Sequence, residues 1–153
     1  MASTLVLGLG NSLRGDDGAG PAVIAALLLL ELPPHVDVID GGVPGLETTL
    51  LLQGYERVII VDAANMGLEP GEWRRITPDT VELRSSENKL RGTLHAAGLA
   101  EALVLAGALD VLPDTLVIFG IQPQNVDWSP DISATLQEAL PDLTNAIAAE
   151  LRS

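Results

Sequence analysis

The chain has 153 residues, 47% of them hydrophobic and only 3% aromatic, which suits a single domain, residues 1–153, with a core built from Leu, Val, Ile and Ala. Twenty-one acidic against eight basic residues give a formal charge of −13, which argues against nucleic acid and anionic membranes as partners and fits a solvated acidic surface or a metal-bearing partner. With no cysteine, disulfides, zinc–thiolate sites and thiol nucleophiles are excluded, and a cytoplasmic location is expected.

In chain order, the opening MASTLVLGLGN carries neither a basic stretch nor a cleavage site and does not read as a signal peptide. TLVLGL (4–9) is a short aliphatic strand that runs into glycines. A helix is predicted over 21–32, with Pro21 in its first turn and LPP at its end. Its run AVIAALLLL stops at Glu31, short of the ~20 apolar residues of a membrane span, and reads as a buried helix. HVDVID (35–40) alternates and suits a strand near an edge, and 45–52 a short helix. RVIIVD (57–62) and DTLVIFGI (114–121) are nearly continuous apolar strands. GEWRRITP (71–78) is predicted as an edge strand, and 77–92 as a short helix and loop, with 84–93 expected to be mobile. Helices are predicted over 95–106 and 131–151, and Pro141 is expected to kink or split the second.

The order β-α-β-α-β-β-α-β-α implies an α/β fold: a mainly parallel sheet of about five strands, one of them an antiparallel edge strand, sandwiched by helices. In such sheets, function gathers beyond the carboxyl ends of the strands. The first loop, GLGNSLRGDDGAGP, resembles a phosphate cradle, but Leu13 stands where a dinucleotide fingerprint needs a small residue, and no Lys-Ser/Thr follows. What remains is a tight loop that carries Asp16 and Asp17, which serve either as helix caps or as ligands for a divalent cation. Asp62 ends its strand on the same sheet edge. His95 is the one histidine outside a surface turn, since His35 follows two prolines. Two carboxylates and an imidazole form a set suited to nickel, zinc, manganese or iron, although a lone histidine near a helix start is more often structural. No Gly-x-Ser-x-Gly elbow and no His-Glu-x-x-His helix is present, so hydrolysis would have to use a metal-bound or carboxylate-activated water.

The motifs GLGNSLRGDDGAGP, VIDGGVPGLE, VIIVDAANMGLEPGEWRRI, TLHAAGLAEAL and IFGIQPQNVDWSP resemble, in the same order, those of the hydrogenase maturation proteases, and most nearly the formate-hydrogenlyase type. The resemblance implies an α/β/α sandwich and an endopeptidase that trims the C-terminus of a nickel-loaded [NiFe]-hydrogenase large-subunit precursor. By position it carries the metal-binding and catalytic roles to Asp17, Asp62 and His95, and the substrate-cleft glycines to Gly41 and Gly42. It also implies nickel supplied by the precursor, no organic cofactor, and a monomer that engages neither nucleic acid nor membrane. Two other readings stay open: a conventional hydrolase with a resident divalent metal, and a non-catalytic nickel or assembly chaperone.

Overall fold

The computed structural model describes residues 3–78 and 99–153. Strands β1 (Thr4–Gly8), β2 (Val36–Asp40), β3 (Arg57–Ala63), β4 (Trp73–Ile76) and β5 (Thr115–Ile121) form one sheet in the order β2-β1-β3-β5-β4. Every pairing is parallel except β4 with β5, so the antiparallel strand lies at an edge, as its polar sequence indicates. The alternating β2 occupies the other edge.

Side chains leave a strand on alternate faces, and here both faces are covered. Val6, Ile59, Val61, Val117 and Phe119 pack against helix α1 (Ala19–Leu27) and the C-terminal helix α4 (Ala134–Arg152). Leu5, Leu7, Val58, Ile60, Leu116 and Ile118 pack on the other side, with Leu52 after helix α2 (Leu46–Leu51) and with helix α3 (Leu99–Ala108). The result is the three-layer α/β/α sandwich. The central strands are apolar along their whole length because neither face meets water.

The structure corrects the sequence reading of α1 at both ends and of α4 at Pro141. α1 starts at Ala19, two residues before Pro21, and follows directly on a 3-10 turn, Gly15–Gly18. Pro21 is then the third helical residue, where a missing N–H still costs no helical bond. α1 also stops at Leu27, so residues 28–30 form a tightening turn instead of a buried helix, and Leu29 is 88% exposed. α4 runs unsplit through Pro141. Its apolar stripe of Leu136, Leu143, Ile147 and Leu151 is buried on the sheet, while Pro141 lies on the exposed side, where water can serve the carbonyl it leaves free. The predicted start of the helix over 95–106, most of the segment 77–92 and all of 84–93 lie outside the described residues. Among the described residues no helix is long and apolar enough to cross a membrane.

A candidate active site at the carboxyl edge of the sheet

The loops after β1, β2, β3 and β5 enclose an open cleft of about 270 Å3, lined by residues that include Asn11, Arg14, Asp17, Val43, Asp62 and Val126. β1 and β3 are neighbours in register, Gly8 opposite Val61, so the loop bearing Asp17 and the end of the strand bearing Asp62 emerge side by side.

The glycines of the first loop serve packing. A side chain at Gly20 would collide with the Leu9 and Val61 carbonyls, so only glycine lets the start of α1 lie directly against the strand ends. Gly10 has φ +137°, and a Cβ there would run into the Asp17 carbonyl. The turn therefore closes on Asp17, whose Oδ2 accepts the Asn11 N–H at 2.8 Å.

The two adjacent aspartates do different things, and neither caps α1. Asp16 is fully buried. Its Oδ1 accepts the Ser133 N–H at 2.7 Å, and its Oδ2 accepts the N–H groups of Gln124 and Asn125 and the Ser133 hydroxyl. Burial alone would raise its pKa, but these donors outweigh burial and hold it below the ordinary carboxylate value. Ser133 is in turn the N-cap of α4, accepting from Leu136. Asp16 is thus a brace between the first loop and the β5–α4 loop, more than 100 residues away in sequence.

Asp62 is 2% exposed, and its Oδ2 has no hydrogen-bond partner among the described residues. Burial pushes its pKa well above the ordinary value, the Asp17 charge adds to the rise, and an N–H from Ala63 opposes it only in part. An orphaned buried oxygen facing a cleft that already holds a second carboxylate is costly for the fold. Such a group is chemically useful as a proton carrier or as a ligand awaiting a cation. Among the described residues no third His, Asp or Glu joins the pair to make a metal site, and His95 lies outside the described residues.

Gly41 and Gly42 stand at the start of the β2–α2 loop. The Gly41 N–H donates to Gly8 O and the Gly42 carbonyl accepts from the Gly10 N–H, which ties this loop to the first. The next residues, Val43 and Pro44, line the cleft itself.

Sequence reasoning missed three contributors. Gln122, nearly buried just past β5, accepts the Met66 and Leu68 N–H groups and donates to Asn65, which shapes the loop after Asp62. Its signal was a polar residue ending a buried strand, the same signal that marks Asp62. Arg14 lies 5.3 Å from the ring centroid of Trp128 and donates through Nε to Val126 O. Nothing local in the sequence connects these last two residues.

Comparison with known proteins places the chain among proteins of one kind. The model of the HycI hydrogenase maturation protease family matches residues 22–150. The hydrogenase expression/formation protein HupD of Rhizobium leguminosarum bv. viciae is 32% identical over 151 residues, spanning 97% of this chain and 74% of HupD. The hydrogenase 2 maturation peptidase from Thaumarchaeota archaeon SCGC_AB-539-E09 is 32% identical, with a TM-score of 0.76 and 97% of each chain covered. The hydrogenase maturating endopeptidase HybD from E. coli is 25% identical, with a TM-score of 0.81 over 99% of this chain and 93% of its own.

Proposed function

The chain belongs to the hydrogenase maturation protease family, and from that premise we propose that it removes the C-terminal extension of a nickel-loaded [NiFe]-hydrogenase large-subunit precursor, reading the precursor's nickel through Asp17, Asp62 and His95. Peptidase action in hydrogenase maturation comes with the family. The nickel, the three residues and the cytoplasmic setting are the steps beyond it. The observation that carries the reading is the Oδ2 of Asp62, without a partner among the described residues and buried at the carboxyl edge beside the loop of Asp17.

The donor set fits nickel held in transit. Two carboxylates and an imidazole offer hard and intermediate ligands without thiolate, since the chain has no cysteine. A site of this kind is incomplete alone, and cysteines of the precursor would complete it. By strand alternation the Asp62 side chain leaves β3 on the face that carries α3, and His95 precedes the first residue of that helix by four positions. A bound divalent nickel ion supplies Lewis acidity. The residues of this chain then have separable tasks. Asp17, fixed by the Asn11 N–H, offers its carboxylate to the cleft, and Asp62, whose burial favours the protonated form, would release its proton to solvent at the cleft mouth as it takes up a cation. Gly41 and Gly42 set the wall along which the extended substrate passes.

The test incubates the purified chain, as a monomer, with precursor matured with or without nickel, and follows loss of the C-terminal peptide by mass. Cleavage of nickel-loaded precursor alone, by protein that retains no metal after purification, is expected. Equal cleavage of both precursors, or tightly retained metal, would instead identify a resident-metal hydrolase.

A further inference from the structure

We infer that the rim of the cleft, with Leu13, Arg14, Val126 and Trp128 on one side and Val43 and Leu46 on the other, is a preformed docking surface for the folded body of the precursor, distinct from the groove that takes its C-terminal tail. The inference rests on the precursor being the substrate.

The cleft is too small to carry specificity for one protein. At about 270 Å3 it admits only a short stretch of chain, and lies below the roughly 300–1,000 Å3 of pockets that enclose drug-sized ligands. Recognition of a particular folded protein takes on the order of 800 Å2 from each partner. Those contacts must come from outside the cleft.

The rim has the composition for it. Trp128 is 74% exposed and Leu46 63%, and Leu13, Val43 and Val126 are also exposed. Single exposed apolar residues are ordinary, but these lie in three of the four loops that wall one cleft and at the first residue of α2, and Arg14, Val43 and Val126 line the cleft directly. Trp and Arg are the residues most enriched at binding hot spots.

The rim is also held in place. Leu13 O accepts the Ser129 N–H at 2.8 Å and Ser129 O accepts the Gly15 N–H at 2.7 Å, so the first loop is laced to the β5–α4 loop on both sides of Arg14. Arg14 stacks on Trp128 while its Nε is held by Val126 O. Across the cleft, the Gly45 N–H donates to Thr48 Oγ1 and fixes the start of α2 beneath Leu46. Surfaces fixed before binding pay less to order themselves on contact.

Charge identifies the chemistry of the partner face. Among the described residues the ion pairs are Arg74–Glu72 and Arg75–Glu150, and Arg14 is in neither. In a chain of charge −13, a guanidinium at the mouth of the site with no acidic partner among the described residues selects an apolar face that bears a carboxylate opposite Arg14. The same net charge disfavours an anionic membrane as the occupant.

The experiment measures affinity for unprocessed, nickel-loaded precursor by calorimetry, and cleavage separately in single turnovers at saturating precursor. Trp128→Ala and Leu46→Asp are each expected to weaken binding at least about tenfold, with thermal melting unchanged because both side chains are exposed, and with the single-turnover rate within about twofold of wild type. Wild-type affinity in both variants would overturn the docking surface even if cleavage is confirmed. Binding that depends on Trp128 and Leu46 but leads to no loss of the C-terminal peptide would support the surface and refute the protease reading.

Discussion

Asp16→Asn and Asp17→Asn, one residue apart, are expected to separate stability from activity. In the wild type, Asp16 Oδ2 takes three donors and Oδ1 takes the Ser133 N–H. Asparagine has one acceptor oxygen, and when that faces the three donors its amide nitrogen confronts the Ser133 N–H. One charge-assisted bond, worth about 1.5–3 kcal/mol, is lost, and the three that remain drop to roughly half strength as neutral bonds. Even at the low end of these ranges the total is about 4 kcal/mol, which in a domain of this size lowers Tm by roughly 8–16 °C. Because the wild-type carboxyl is held below its ordinary pKa, its contribution is present above the unfolded value of 3.8 and is lost as pH falls through the folded one. The melting gap should therefore narrow in acid. Asp17→Asn keeps its single bond from Asn11 through the amide oxygen and should cost less than about 1 kcal/mol, yet abolish processing. The assay is a melting curve for each variant across pH, beside precursor cleavage followed by mass. An Asp16→Asn variant that melts with the wild type would refute the brace. An Asp17→Asn variant that still processes precursor would refute its place in the site.

Asp62→Asn should stabilise the protein near neutral pH. A raised pKa means the folded chain keeps a proton that the unfolded chain releases, so stability falls as pH climbs from the unfolded value of 3.8 towards the folded one. Asparagine removes that dependence, so its melting advantage should fade below pH 3.8, and an advantage constant across pH would show that the buried carboxyl is not its source. Gly10→Ala forces a side chain into positive φ and against the Asp17 carbonyl. It should cost about 1–3 kcal/mol of stability and most of the processing activity, and full activity would show that this turn does not position Asp17.

The strands were legible because sheet burial on both faces writes itself into sequence as an unbroken apolar run, as in Val58–Ile59–Ile60–Val61. The position of Asp17 and Asp62 on one edge followed from topology alone, since parallel neighbours end together. The start of α1 was hidden by its own packing: glycine at 20 is required by the Leu9 carbonyl but reads in sequence as loop. The continuity of α4 was hidden because burial of one stripe overrides a proline on the other. The brace at Asp16 draws on partners at Gln124, Asn125 and Ser133, contacts of tertiary structure that no local pattern encodes. Arg14 with Val126, 112 residues apart, was invisible for the same reason.

A glycine-rich turn between a strand and a helix supplies bare N–H groups at the positive end of a helix dipole, which is why such turns bind phosphate. Here the fold spends that capacity on its own carboxylates. The Asn11 N–H goes to Asp17, and Asp16 takes its donors from the opposite loop. Both charges are thereby fixed by hydrogen bonds and partly offset by the helix terminus. Among the described residues Asp62 receives no comparable compensation: it is buried, faces a like charge, and has one oxygen without a partner there. Of the three carboxyl groups, Asp16 and Asp17 are satisfied by donors and Asp62 is left in deficit among the described residues. The deficit is one that a cation relieves and a phosphate would deepen. On the proposed reading, the loop keeps the geometry of an anion cradle while its charge would favour ligands of the opposite sign.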